Sequence, residues 1–422
     1  MPRRFPVFLA ASAALLLAAP GGASGQATND ESADPHAFAD LTSPAHDYWT
    51  RELKDPFTRF KADFEAGKIE LDFSSEKAFV ISLLKVLDIP ATSQMLLFST
   101  TSLQLRFISP RNPRSLFFNE DVYLGYIPGG RIEIISLDPE VGGIFYIFDI
   151  PQNGARPVVE RSERCMNCHA DDDTRQVPGI AIKSVIPGPT GGSLNSYRRE
   201  QIGHQIPFSE RFGGWHLTSG EEIGHHWGNL IGRLSNGEMS TQKLEPGTLF
   251  SWDKYPVATS DILPQLIHEH QGGFVDRVVE ASYRARAYLH EGNGRLTNRV
   301  HIETLKKTAD ELVRYLLFAD EAEFPRGGIA YDTAYAEDFA RHAKRLPNGA
   351  SLRDLDMETR LFKYRCSYMI DTAIFRGIPD VFKQHVYRRL GEALSVEKPD
   401  PAFGYLPSRE KQAIQAILRG TL

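Results

Sequence analysis

Residues 121–137 read DVYLGYIPGGRIEIISL, and this segment carries the clearest secondary-structure signal in the chain. Two runs rich in β-branched and aromatic residues flank the turn sequence Pro128-Gly129-Gly130, which is the pattern of a β-hairpin. A third run, Ile144 to Phe148, follows the glycine-containing turn at residues 139–143. The sequence therefore predicts an antiparallel meander of three strands in the N-terminal half.

The motif CMNCH, from Cys165 to His169, lies directly downstream of these strands. Two cysteines separated by two residues and followed at once by a histidine have the spacing by which haem is attached covalently. The cysteines form thioethers with the haem vinyl groups, and the histidine binds the iron. The chain has three cysteines, so finding two at this spacing is a specific signal. We therefore expect one covalent haem c, with Cys165 and Cys168 as attachment points and His169 as the proximal iron ligand.

Two other uses of a cysteine pair explain the motif less well. Half of a zinc site would need two further ligands, and the chain has no second cysteine pair to supply them. A thiol redox pair would follow a buried parallel strand, whereas residues 158–164 are mostly polar. Neither alternative accounts for His169.

Residues 1–25 have the features of a secretory signal peptide. A basic start that includes Arg3 and Arg4 precedes an apolar run from Phe5 to Pro20, and small residues end the segment. Covalent haem attachment is also expected outside the cytoplasm. The predicted location is therefore periplasmic or secreted, and no membrane span is expected after signal cleavage.

The net charge of -6 becomes -8 when residues 1–25, with Arg3 and Arg4, are removed. This mild acidity argues against nucleic acid as a partner. The haem motif instead favours a periplasmic redox protein as the partner.

The pattern along the chain predicts an α+β fold in several parts. Helices are expected from His46 to Gly67, with a break or a fresh start at Pro56, and from Ala78 to Pro90. Further helices are expected beyond Ser260, which is the predicted cap of the first C-terminal helix. A short strand is expected at residues 180–186. The predicted divisions are a flexible tether (26–45), an N-terminal α/β domain (46–155), a haem c-binding segment (156–250) and a helical C-terminal domain (251–422). Within that last domain, helices are expected around residues 302–316, 361–374, 381–390 and 413–418.

A haem with one protein ligand leaves the sixth iron position to another group. His226 is the first choice, because it lies in a glycine-rich aromatic cluster that begins at Phe212. His270 is the alternative, since it falls on the apolar stripe of its predicted helix whereas His268 points away. Met239 is a further candidate, because it lies at a separation from the motif that small cytochromes often use, but it follows a sequence typical of an exposed turn. The other options are His216, Cys366, which is otherwise expected to be a buried thiol, and an open position.

In combination, several motifs resemble those of a largely uncharacterised group of bacterial exported c-type cytochrome-like proteins. The resemblance implies haem c, export and a redox association, without an established reaction. The chain differs from the group at His216, where a tyrosine is common, and at Glu221-Glu222, where a histidine is often found. The resemblance covers residues 110–390 and rests on Asn112-Pro113-Arg114, residues 118–123, the CMNCH motif, Phe212-Gly213-Gly214-Trp215 with His226 and Gly228-Asn229, Ser260-Asp261-Ile262 with His270-Gln271, and residues 365–370.

Three functions remain open at this point. The first is periplasmic electron transfer by a monohaem c-type cytochrome with His169 and His226 as iron ligands. The second is a haem-dependent oxidoreductase of the peroxidase or oxidase type, in which His225, His226 or Arg211 assists proton transfer. The third is a haem-based module that senses a diatomic gas.

Overall fold

An antiparallel sheet of six strands, paired in chain order, organises the N-terminal half of the chain. The predicted hairpin corresponds to its third and fourth strands, where Tyr123 pairs with Ile135. The α+β class and the three-strand meander are therefore confirmed. The strands are β1 (Met95–Leu97), β2 (Arg114–Phe118), β3 (Val122–Tyr126), β4 (Ile132–Asp138), β5 (Gly142–Phe148) and β6 (Glu160–Arg161).

The computed structural model describes residues 36–151, 155, 157–198 and 201–421. The predicted signal peptide (1–25) lies outside these residues. Two hairpins complete the strands: β7 (Val185–Pro187) pairs with β8 (Ser193–Ser196), and β9 (Leu230–Ser235) pairs with β10 (Glu238–Lys243). The described helices are α1 (Pro56–Glu65), α2 (Glu76–Val86), α3 (Met166–His169), α4 (Ile262–Glu291), α5 (Arg299–Leu316), α6 (Thr333–Arg341), α7 (Ala373–Arg376), α8 (Asp380–Ala393) and α9 (Ser408–Thr421).

Successive side chains of a strand point to opposite faces of the sheet, and both faces of this sheet are covered. Leu124 of β3 packs in a core with Phe57 of α1 and Phe79 of α2. Its neighbour Tyr123 belongs to a second core, which includes Phe274 of α4 and continues through the C-terminal helices. The CMNCH motif lies at one edge of this sheet, shortly after β6.

The first helix starts later than predicted. The expectation of a helix from His46 is wrong, because the helical conformation begins at Pro56, a favoured residue for the first helical position. The Asp55 carboxylate accepts a hydrogen bond from the backbone N–H of Thr58 at 3.1 Å and so caps the helix.

Helix α4 is the longest described helix and is buried on nearly all sides. Its cap is Asp261 rather than Ser260, because the Asp261 carboxylate accepts the Leu263 N–H at 3.0 Å. The hydroxyl of Ser260 instead donates to the carbonyl of His216 at 2.7 Å. Among the described helices, none is both long and apolar enough to cross a membrane.

Two further predictions are wrong. Residues 361–367 form no helix, and only the short α7 and a 3₁₀ turn (Tyr368–Asp371) follow them. The strand expected at 180–186 is reduced to β7, because the Ile180 N–H donates to the Asp276 carboxylate at 2.8 Å instead of to another strand.

The described residues from Phe38 onward form one compact unit, and the predicted divisions at 155 and 250 fall inside it. The sheet and the C-terminal helices share a continuous core. Within the predicted tether, Phe38 is buried, and the guanidinium of Arg284 lies 3.7 Å from the centre of its ring.

Candidate haem-binding site

The CMNCH motif forms one helical turn. After β6, the Ser162 N–H donates to the Phe145 carbonyl at 2.9 Å, which fixes the start of the turn against the sheet. A 3₁₀ turn that ends at Cys165 leads into α3. Residues three and four apart share one face of a helix, so Cys165 has Cys168 and His169 on its own side. Cys168 is exposed and Cys165 is half-buried.

His169 is held in a defined orientation. Its Nδ1 lies 3.0 Å from the Gly179 carbonyl oxygen, and its ring packs 4.8 Å from that of Phe145. The Ala181 N–H is also directed at Nδ1, but at 3.5 Å this contact is the weaker one. Because a carbonyl only accepts, Nδ1 carries the proton and Nε2 keeps its lone pair. Surrounding protein atoms desolvate the ring and lower the pKa of His169 to about 4, so it is neutral.

The loop that holds His169 is itself fixed from helix α4. The Gly179 N–H donates back to the His169 carbonyl at 2.9 Å. A Cβ at Gly179 would lie 2.2 Å from the Asp276 carboxylate, so only glycine allows this approach. Asp276 accepts the next N–H, that of Ile180, and burial raises the pKa of Asp276 to about 8.

Cys168 and His169 line a pocket between the sheet and helix α4. The free volume inside this pocket is about 60 Å³. Tyr123 and Ile135 form part of the sheet side, and Trp215 and His268 lie on other sides. The pocket is therefore largely apolar, with a few polar groups.

His268 is the second histidine of this pocket. It is 4% exposed and packs against the rings of Phe118, Tyr123 and Trp215 at 5.4, 5.7 and 6.1 Å. Its Nδ1 is buried without a hydrogen-bond partner among the described residues. Burial lowers the pKa of His268 to about 3, so the imidazole is neutral.

Two cations also line the pocket. Arg114 forms an ion pair with Glu133 at 2.9 Å, and its Nε is buried without a partner in the described part of the chain. Lys183 pairs with Asp173. A Cβ at Gly125 would lie 2.6 Å from the Arg114 guanidinium, so this glycine makes room for the arginine.

The structure does not bring the two predicted distal ligands to this pocket. His226 lines a separate pocket with Lys243 and Trp252. His270 is buried in a hydrogen-bonded cluster, with its Nδ1 2.9 Å from Nδ1 of His204 and its Nε2 2.7 Å from the Ser367 hydroxyl.

The remaining options for the sixth position also lie elsewhere. The His216 ring contacts Asn229 at 3.3 Å and packs on Phe98 at 4.5 Å. Met239 follows a tight Asn236-Gly237 turn and is 40% exposed, as its sequence context predicts. Cys366 is fully buried in the core, and burial raises its pKa to about 12, as expected of an inert thiol.

Sequence reasoning did not place His268 in this pocket, and the expectation that it points away from the apolar side is wrong, because the residue is buried. Helix α4 has no solvent-facing side at this position, so a stripe of apolar residues does not identify its inner face. The available signal was the run His268-Glu269-His270-Gln271, which is unusually polar for a helix buried so completely.

No group of three or more His, Cys, Asp or Glu side chains within the described residues is placed to hold a metal ion. A haem iron takes at most two protein ligands, so a haem site does not belong to that class. Comparisons with protein-family models, with curated proteins and with solved structures found no match to this chain.

Proposed function

We propose that this chain is a monohaem c-type cytochrome that takes part in electron transfer in the periplasm. The observation that carries the proposal is the state of His169. Its Nδ1–H is engaged by a backbone carbonyl, while the ring lines a pocket that it shares with Cys168. A metal-binding histidine commonly donates its other ring N–H in this way, which fixes the tautomer and the ring orientation.

The residues present fit a haem c. Cys165 and Cys168 would hold it through thioethers, and His169 would bind its iron through Nε2. Arg114 and Lys183 line the same pocket and could neutralise the anionic propionates. A haem bound there supplies reversible one-electron chemistry of its iron.

The protein would control access to that group. Tyr123, Trp215 and the buried side of α4 exclude water, which favours a stable electron carrier over a site open to solvent. Cys168 is exposed, so the attached edge of the haem would lie near the surface. A periplasmic redox partner protein could exchange an electron at this edge.

Expression of the full chain with the haem-attachment machinery tests the proposal. We expect the purified protein to keep its haem after denaturation, with a mass and pyridine haemochrome spectrum of one haem bound by two thioethers. Cys165→Ala combined with Cys168→Ala should abolish covalent haem. Cys366→Ala, at the third cysteine, is the matched control and should retain it. A wild-type protein without covalent haem would overturn the proposal.

A redox titration then separates electron transfer from catalysis. The expected result is one reversible one-electron transition, together with slow or absent turnover of peroxide in the presence of an artificial reductant. Rapid peroxide turnover by fully haem-loaded protein would contradict electron transfer and favour an oxidoreductase.

A further inference from the structure

His268 is a buried imidazole with an unsatisfied ring nitrogen in the pocket of His169. The rings that pack against it belong to Phe118, Tyr123 and Trp215, and its Nδ1 has no hydrogen-bond partner among the described residues. A buried polar atom without a partner is unfavourable, so a native protein with such a group usually has a role for it. A metal ion in the pocket would supply the missing partner.

The shared pocket distinguishes His268 from the other histidines. Orphaned ring nitrogens also occur in four of them, but none of the four lines the pocket with Cys168 and His169. His270, two residues further along α4, has both ring nitrogens in contact with other side chains. The four are His46, His204, His216 and His226.

The structure also fixes how helix α4 presents His268. Gln271, one helical turn further on, accepts the Tyr123 hydroxyl at 2.9 Å and donates to the Tyr368 hydroxyl at 2.7 Å. These bonds tie α4 to strand β3, whose Tyr123 ring packs against His268. Gln271 is therefore a positioning residue for His268.

We propose that His268 is the second protein ligand of the iron, together with His169, in a haem held by this pocket. This inference rests on the proposed haem c function and names the sixth ligand of the same site. The haem would then be six-coordinate and low-spin in both oxidation states.

Optical and EPR spectra of haem-loaded protein test the assignment without any measurement of activity. We expect a low-spin wild type and a His268→Ala variant that is high-spin and binds carbon monoxide at once. Imidazole added to His268→Ala should restore the low-spin spectrum by filling the vacated space. His226→Ala and His270→Ala are the matched controls, and both should remain low-spin.

A second variant covers the case in which His268→Ala does not fold. His268→Met replaces the imidazole with an unbranched thioether whose sulfur can bind iron, and a thioether ligand should raise the reduction potential measurably. A variant that remains low-spin with an unchanged potential would overturn the assignment, as would loss of the low-spin state in His226→Ala.

The two proposals fail in different ways. If the wild type carries no covalent haem in the pyridine haemochrome assay, the cytochrome function itself fails. If the wild type carries one haem but is high-spin, the function stands and the His268 assignment is overturned.

Discussion

Asp276 makes the free energy of unfolding depend on pH. Its side chain is 2% exposed, and burial raises its pKa to about 8, whereas the unfolded chain has an ordinary aspartate pKa of about 4. Between these values the folded protein holds a proton that the unfolded chain has released. The free energy of unfolding therefore falls as the pH rises, by about 1.4 kcal/mol per pH unit.

Asp276→Asn should remove this contribution. The amide oxygen can still accept the Ile180 N–H, which the carboxylate accepts at 2.8 Å, so the local structure should persist. From pH 6.5 to 8, we expect the wild type to lose about 2 kcal/mol more than the variant. Buried histidines with lowered pKa values lose stability only as the pH falls below about 6.5, outside this window.

Urea unfolding followed by circular dichroism at several pH values in this window provides the measurement. Glu291→Gln, at the exposed end of the same helix, is the control and should follow the wild-type curve. If Asp276→Asn also runs parallel to the wild type, Asp276 does not bind an extra proton on folding, and the argument from burial is refuted.

Three further outcomes are expected. In a redox titration, Arg114→Gln should lower the haem reduction potential by about 40 mV, equivalent to about 1 kcal/mol for one electron, because a positive charge is removed from the pocket. Arg114→Lys keeps the charge and should retain most of the wild-type potential. Phe57→Ala should destabilise the protein by about 3–5 kcal/mol in urea unfolding, whereas Phe73→Ala, at a side chain that is 52% exposed, should cost less than about 0.5 kcal/mol. His270→Ala should lower the free energy of unfolding by about 2 kcal/mol, because the buried Nδ1 of His204 loses its hydrogen-bond partner; calorimetry measures this change.

Local patterns predicted the elements whose own residues determine them. The hairpin at 121–137 and helix α5 each combine a clear hydrophobic period with a turn or capping signal. The Asn236-Gly237 turn belongs to the same class, because both residues adopt positive φ and form the tight connection between β9 and β10.

Contacts with residues distant in the chain determine the features that the sequence did not predict. The segment 361–367 is apolar enough for a helix. Its Arg365 N–H, however, donates to the Glu410 carboxylate at 2.9 Å, and its Ser367 N–H donates to the Leu316 carbonyl at 2.8 Å. These tertiary bonds replace the local ones that a helix would need. No periodicity within the segment reveals them.

The candidate site divides in the same way. Cys165, Cys168 and His169 are picked out by spacing alone, because the roles proposed for them depend on their being close together in the chain. The position of His268 in the same pocket depends on how α4 packs against β3, which is a property of the tertiary structure. Of the residues named from the sequence, Cys168 and His169 line this pocket, whereas His226 and His270, the predicted distal ligands, lie elsewhere.

The order in which the pocket closes follows from the positions of its walls in the chain. The strands pair with their sequence neighbours, whereas the bond between Tyr123 and Gln271 joins residues 148 positions apart. Short loops close at a lower entropic cost and faster than long ones. We therefore expect the sheet to assemble early and α4 to dock late, so that an attachment enzyme could reach Cys165 and Cys168 while that side of the pocket is still open. Attachment of the proposed haem would then precede this final folding step, and the bound group would stabilise the docking of α4.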